Sequence, residues 1–142
     1  MRRFASFLLA ISLMLLAGCA SVHDPRDGAT ELVPGRPHQV MMAGQRYFTF
    51  TLEAPARVVL ESLTFPADVG FVSPAGQLLD SEGQLVARDW TSGADSNFRI
   101  EKRLAAGTWY LLVTNPHACR SAFSCLERDY RYEVLLTLED DS

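Results

Sequence analysis

The sequence has few of the residues from which catalytic and metal sites are built. It holds three histidines, His23, His38 and His117, and three cysteines in 142 residues. It shows no nucleophilic serine motif, glycine-rich phosphate loop or zinc-ligand spacing. Because an enzyme needs a nucleophile with its base, a pair of tuned carboxylates or grouped metal ligands, we expect a non-catalytic protein.

Basic charge is also scarce, and Lys102 is the only lysine. Without Arg2 and Arg3, which precede an apolar run, 11 basic residues remain against 17 acidic ones, a net charge of −6. Nucleic-acid binding requires a basic face. We therefore expect no nucleic-acid partner.

Long hydrophobic runs are absent except near the start of the chain. Residues 4–16 carry no charge, but these 13 residues fall short of the roughly 20 that a helix needs to cross a bilayer. The preceding arginines and the small residues Ala17 and Gly18 predict a secretory signal. Leu16-Ala17-Gly18-Cys19 resembles the lipobox of bacterial lipoproteins, in which the cysteine is alkylated with diacylglycerol, the signal is cut before it and the new amino terminus is acylated. The alternative is an ordinary cleaved signal in which Cys19 is incidental.

The lipobox resemblance implies a firm attachment to a membrane at Cys19. One acyl chain binds only marginally, and a second makes the anchor stable. Ala20 follows the cysteine, whereas aspartate at that position is the usual inner-membrane retention signal of the family. The resemblance therefore implies the periplasmic face of the outer membrane.

Composition divides the chain into a signal at 1–18, a lipidated tether at 19–37 and one domain at 38–142. Removal of the signal leaves 124 residues, enough for a single domain with a real core. The tether is predicted from its prolines and glycines and its scattered charges. An edge strand at 29–33 is the alternative for part of it.

Two further cysteines, Cys119 and Cys125, form an even pair in an exported chain. Such a pair predicts a disulfide, worth roughly 2 kcal/mol on the chain-entropy model. A metal site that includes His117 is the alternative.

Short apolar or alternating runs follow one another every eight to twelve residues from Gln39 onward. They predict strands at 47–52, 57–63, 69–72, 77–79, 84–88, 97–104, 108–114 and 130–138. Turns are predicted at 73–76 and 80–83, each closed by glycine. About eight strands predict an all-β, antiparallel β-sandwich of jelly-roll-like form. A closed barrel is the competing architecture.

The order of these motifs resembles the bacterial pre-peptidase C-terminal domain. The sequence QLLDSEGQLVA at 77–87, then Asp89, then LAAGTWYLLV at 104–113 carries the resemblance, together with the strands around 47–52 and 132–136. It implies a non-catalytic β-sandwich of the kind that accompanies secreted peptidases and is similar to collagen-binding domains of collagenases, with relatives that bind calcium or polysaccharide. No peptidase precedes the domain in this sequence, so we expect a free-standing, membrane-tethered module.

Two features of the loops are candidate sites. Calcium takes carboxylate and carbonyl oxygens, and the candidate ligands are Asp80, Glu82, Asp89, Asp95 and Asn97. The alternative is that these residues serve turns, because Asp and Asn bond their own backbone. Trp90 is either a buried residue or an exposed platform for a sugar ring or a partner, whereas Trp109 is expected in the core because Leu111 and Val113 continue its face.

The sequence therefore leaves two functions open. One is a tethered module that binds a polysaccharide, peptidoglycan or a protein through its loops. The other is an accessory subunit of an envelope complex, paired with its partner through an exposed strand edge.

Overall fold

The computed structural model describes residues 23–40, 44–64, 72–115 and 131–139. In these ranges the strands are β1 Thr30–Glu31, β2 His38–Val40, β3 Gln45–Leu52, β4 Ala56–Thr64, β5 Ala75–Leu79, β6 Leu85–Asp89, β7 Arg99–Leu104, β8 Gly107–Thr114 and β9 Tyr132–Glu139. Two short 3₁₀ turns, Pro25–Gly28 and Ala94–Ser96, complete the elements. None of the helical segments in the described ranges is long and apolar enough to span a membrane.

The strands form two sheets. One has the order β1-β3-β8-β5-β6 and the other β2-β9-β4-β7. All their pairings are antiparallel except β1 with β3, which is parallel. The chain is therefore an all-β sandwich, as the spacing of strands predicted.

The core between the sheets is built from the alternating faces of the longest strands. Phe48 and Phe50 of β3, Leu111 and Val113 of β8 and Tyr132 of β9 are all at most 2% exposed. Successive strand residues point to opposite faces, so one face of each strand enters the core. Each large apolar side chain contributes about 1.5–3 kcal/mol by leaving water. Trp109 is half-buried and packs against this cluster.

The outer face of the four-stranded sheet is covered by ion pairs. Arg57 pairs with Glu101 and, at 3.1 Å, with Glu139, and Arg99 pairs with Glu61 at 2.9 Å. Val59 points to this outer face and is nevertheless 2% exposed. The apolar stems of long charged side chains cover apolar surface in this way.

The predicted tether extends too far, because the domain begins before residue 38. Pro25–Gly28 forms a 3₁₀ turn capped by Asp24, and the edge strand allowed at 29–33 is present as β1. Leu32 is buried in the core cluster, and its N–H donates to the carbonyl of Thr49 at 2.8 Å. The burial of Leu32 therefore holds this proline-rich segment against the five-stranded sheet.

The turn predicted at 73–76 is also shorter than expected. Ala75 and Gly76 belong to β5, where both are paired with β8. A Cβ built on Gly76 would meet the ring of Phe98 at 2.7 Å. Glycine is therefore required here by the close approach of the ring of Phe98, the residue before β7, rather than by a turn. Strand β2 was not predicted, since three residues are too few to show a period.

Candidate ligand-binding loop

Trp90 stands at the surface where β6 ends. Its side chain is 52% exposed, and the guanidinium of Arg88 lies 4.9 Å from the centre of its ring. Arg88 is on β6 and Trp90 directly follows the strand, and their contact places both side chains on the same side of the sheet. A cation over an indole face is attracted by the ring quadrupole. Of the two alternatives for this tryptophan, burial and exposure, exposure is the one observed.

The segment that follows, residues 90–98, is called the Trp90 loop and is fixed at its base by Asp89. The Oδ2 of Asp89 accepts hydrogen bonds from the N–H of Ser92 at 3.0 Å and from the N–H of Arg99 at 2.9 Å. The hydroxyl of Ser92 donates to the carbonyl of Arg99 at 3.1 Å. Burial raises the pKa of the Asp89 carboxyl, but these hydrogen bonds outweigh it, so that the pKa lies below its ordinary value.

The far end of the Trp90 loop is fixed by a buried amide. Asn97 is among the few buried polar residues of the described ranges. Its Oδ1 accepts from the hydroxyl of Ser62 at 2.8 Å, and its Nδ2 donates to the Oγ1 of Thr64 at 3.1 Å and to the carbonyl of Ala94 at 2.7 Å. The Ser62 hydroxyl in turn accepts from the N–H of Phe98 at 3.2 Å. The loop is thereby attached to strand β4.

Two residues at the tip of the loop have left-handed backbone. Asp95 has φ 54° and Ser96 has φ 62°, and neither is glycine. Such conformations cost of order 1–3 kcal/mol each and persist only where the surroundings impose them. The bonds of Asp89 and Asn97 at the two ends of the loop supply that constraint.

The five candidate calcium ligands are divided between the two ends of β6. Asp80 and Glu82 lie in the turn before β6, whereas Asp89, Asp95 and Asn97 lie at or beyond its end. The Oδ1 of Asp80 accepts from the N–H groups of Glu82 and Gln84 at 2.9 and 2.8 Å, the bonding that turn residues make. Among the described residues, no group of three or more His, Cys, Asp or Glu side chains is placed to hold a metal.

Arg26 has a role that the sequence analysis missed. Its guanidinium pairs with Asp24 at 2.6 Å, donates to the carbonyl of Ser81 at 3.0 Å and lies 5.2 Å from the ring centre of Tyr110. Hydrogen bonds from Arg26 lower the pKa of Asp24 to about 2. Asp24 before Pro25 is a typical start of a helical turn and could have indicated the local structure. The contacts with Ser81 and Tyr110 join residues far apart in sequence, which no local pattern signals.

Comparison with solved structures identifies the architecture. The fold is similar to that of a pre-peptidase C-terminal domain. The domain from the collagenase of Bacillus anthracis matches with a TM-score of 0.56 and 13% identity, over 77% of this chain and 94% of that domain. At this identity the match concerns the fold, and at that level it confirms the predicted resemblance.

Two other solved structures are less similar. PliG of Aeromonas hydrophila, a periplasmic inhibitor of g-type lysozyme, matches with a TM-score of 0.45 and 12% identity over 78% of this chain and 97% of its own. The Yersinia pseudotuberculosis-derived mitogen matches with a TM-score of 0.45 and 11% identity over 78% and 91%. No protein-family model and no curated protein matches the sequence.

Of the three histidines, His23 and His38 lie within the described residues, and their contacts are away from the Trp90 loop. His23 lies 3.8 Å from Asp27, and the ring of His38 contacts that of Phe48 edge-on. Cys19, His117, Cys119 and Cys125 lie outside the described residues, so lipidation and the disulfide stay predictions.

Proposed function

We propose that this chain is a lipid-anchored, non-catalytic binding module of the bacterial envelope, resembling a pre-peptidase C-terminal domain. It holds a polysaccharide or protein ligand through the Trp90 loop. The observation that carries the proposal is the half-exposed Trp90, placed under Arg88 on a loop whose two ends are fixed by Asp89 and Asn97.

An aromatic side chain on a fixed loop is suited to binding. The indole offers a large apolar face and one N–H donor, which matches both a sugar ring and a protein surface. A loop that is ordered before binding loses less conformational entropy when the ligand arrives. A tryptophan beside an arginine is also the composition of the residues that contribute most at protein interfaces.

The anchor in this proposal is a lipid on Cys19, and the location is the periplasmic face of the outer membrane. The lipobox at residues 16–19 and Ala20 after it support this part. Mass spectrometry of the mature amino-terminal peptide tests it. A peptide that begins at Cys19 and carries acyl mass is expected, and an unmodified Cys19 would contradict the anchor.

Retention of a chain that begins at Ala20 tests the binding role. Columns of purified cell wall and of envelope polysaccharides, and a pull-down from envelope extract, are compared for wild type and Trp90→Ala. We expect Trp90→Ala to lose most of the retention. Val33→Ala is the matched control, because Val33 is an equally exposed apolar residue and follows β1 at the opposite edge of the sheet from β6. Equal retention of wild type and Trp90→Ala would remove the Trp90 loop from the proposal.

The edge of the five-stranded sheet supports a second candidate, an accessory subunit of an envelope complex. In the described residues β6 is hydrogen-bonded to β5 on one side only, and its first residue, Leu85, is 50% exposed. An edge strand can pair with an extended segment of a partner. Co-purification of a single envelope protein in stoichiometric amount, unaffected by Trp90→Ala, would favour this function over the first.

A further inference from the structure

The contacts of Arg26 limit the distance between the folded domain and a lipid on Cys19. Arg26 binds Asp24 within its own turn, Ser81 in the turn between β5 and β6, and Tyr110 on β8. The 3₁₀ turn Pro25–Gly28 also packs against β3. Residues 24–28 are therefore part of the outer face of the five-stranded sheet.

Only residues 20–23 then separate Cys19 from the folded domain. The five steps from Cys19 to Asp24 span at most about 18 Å when fully extended. The predicted tether, with 18 residues beyond Cys19, would reach about 60 Å. The contacts of Arg26 thus remove most of the reach that a flexible linker of this composition would give the domain.

A connection this short restricts which face can approach the lipid. For the outer face of the four-stranded sheet to lie against the bilayer, residues 20–23 would have to run around the molecule. From Asp24 they would cover roughly 5 Å to the edge of the five-stranded sheet and then roughly 20 Å across the thickness of both sheets with their side chains. That path is longer than the connection. Of the two outer faces, the one that carries Arg26 is therefore the one that the connection can reach.

We infer that the outer face of the five-stranded sheet around Arg26, with the turn at residues 80–84, is directed at the lipid headgroups. This inference rests on the proposed lipid anchor. The charges beside Arg26 are mostly acidic, since Asp24 pairs with it, Asp27 is its sequence neighbour, and Asp80 and Glu82 flank its contact Ser81. The short connection, and not attraction to anionic lipid, therefore sets the orientation, which is expected to persist on zwitterionic membranes.

Trp90 lies at the far end of this same face. Its ring contacts Arg88, and Arg88 is paired with Gln77, which points away from the core. Trp90 follows β6 at the end opposite to the turn at 80–84, and five strand steps separate the two by roughly 17 Å. The ion-paired outer face of the four-stranded sheet is turned away from the membrane.

The single lysine provides a test that leaves every cysteine in place. Lipidated full-length protein is purified from membranes and reconstituted into phosphatidylcholine vesicles that contain a trace of headgroup-labelled acceptor lipid. An amine-reactive donor fluorophore labels Lys102, which lies on β7 of the four-stranded sheet. A second protein, Lys102→Arg with Ser81→Lys, carries the donor in the turn beside Arg26. We expect energy transfer to be at least about twofold stronger from position 81, because the two sheets lie about 10 Å apart.

Two further variants test the cause of the orientation. In the position-81 protein, Arg26→Ala is expected to lose most of the added energy transfer, whereas the matched control Arg36→Ala retains it. A Gly-Ser insertion of about 12 residues after residue 22 is expected to abolish the difference between the two labels.

The outcomes separate the two proposals. Protein that binds vesicles but shows equal transfer from positions 81 and 102 would overturn the orientation alone. Protein that is not acylated and does not bind vesicles would overturn the anchor, and the orientation with it.

Discussion

Asn97 is the buried residue that fixes the far end of the Trp90 loop. Its amide bonds Ser62 and Thr64 of β4 and Ala94 of the loop, in a site that excludes water. A buried polar group is stabilising only when its partners are present, because an unpaired one costs its full desolvation energy. The same side chain therefore supports both the fold and the position of the loop.

Asn97→Ala is expected to lower the free energy of unfolding by about 2–3 kcal/mol, since it leaves the Ser62 hydroxyl and the Ala94 carbonyl without this partner. Urea denaturation measures the change. Ser92→Ala is the control in the same loop, and its exposed hydroxyl is expected to contribute under about 1 kcal/mol. Equal effects of the two substitutions would contradict the role assigned to Asn97.

Asp89 gives the loop a dependence on pH whose sign follows from its lowered pKa. Because the pKa is lower in the folded state than the ordinary 3.8, the stabilisation is present above pH 3.8 and is lost as the pH falls through the folded value. Asp89→Asn is expected to be less stable than wild type at pH 7, by under about 1 kcal/mol because solvent screens the site. The gap is expected to close toward pH 2. A gap that stays constant between pH 7 and pH 2 would be inconsistent with the ionised carboxylate as its source.

At the scale of elements, the segment from Asp24 to Leu32 is where the sequence pattern predicted a different structure from the one observed. Long strands such as β3 and β8 were predictable, because six or more residues display the alternation that burial of one face requires. The segment 24–32 has the prolines, glycines and charges of a linker. Its structure depends on the burial of Leu32 and on contacts of Arg26 with Ser81 and Tyr110, residues that are distant in sequence.

Leu32→Ala tests whether this segment belongs to the domain. Deletion of a buried leucine side chain costs about 2–5 kcal/mol, and a leucine in a free tether would cost nothing. We expect the larger loss, measured by chemical denaturation. Val33→Ala serves as the control, since the neighbouring Val33 is 49% exposed and its truncation is expected to leave stability nearly unchanged.

At the scale of the whole molecule, two sheets joined over one core account for most of the stability, and the candidate site lies on a connection between them. The Trp90 loop links β6 of one sheet to β7 of the other. The position of this loop in the chain was predictable, because the stretch that follows Asp89 is polar. The exposure of Trp90 was not, because a single aromatic residue in a loop has no neighbours in sequence that indicate which way it points.

The predicted disulfide between Cys119 and Cys125 is also a property of the whole molecule, since it acts by restricting the unfolded chain. If the bond is present, dithiothreitol is expected to lower the free energy of unfolding by about 2 kcal/mol. The Cys119→Ser, Cys125→Ser double variant is expected to be insensitive to the reductant. Intact mass before and after alkylation checks the bond directly, and two alkylated thiols in the unreduced protein would contradict it.

The two-residue β1 has a mechanical consequence. It is paired with a single neighbour and is the first element after the Arg26 contacts. If a ligand held by the module is pulled away from the membrane, the load passes through the proposed anchor to the Arg26 contacts and then to β1. Detachment of residues 24–37 would release roughly 45 Å of chain while the eight other described strands stay assembled, so the module would lengthen before its two sheets come apart.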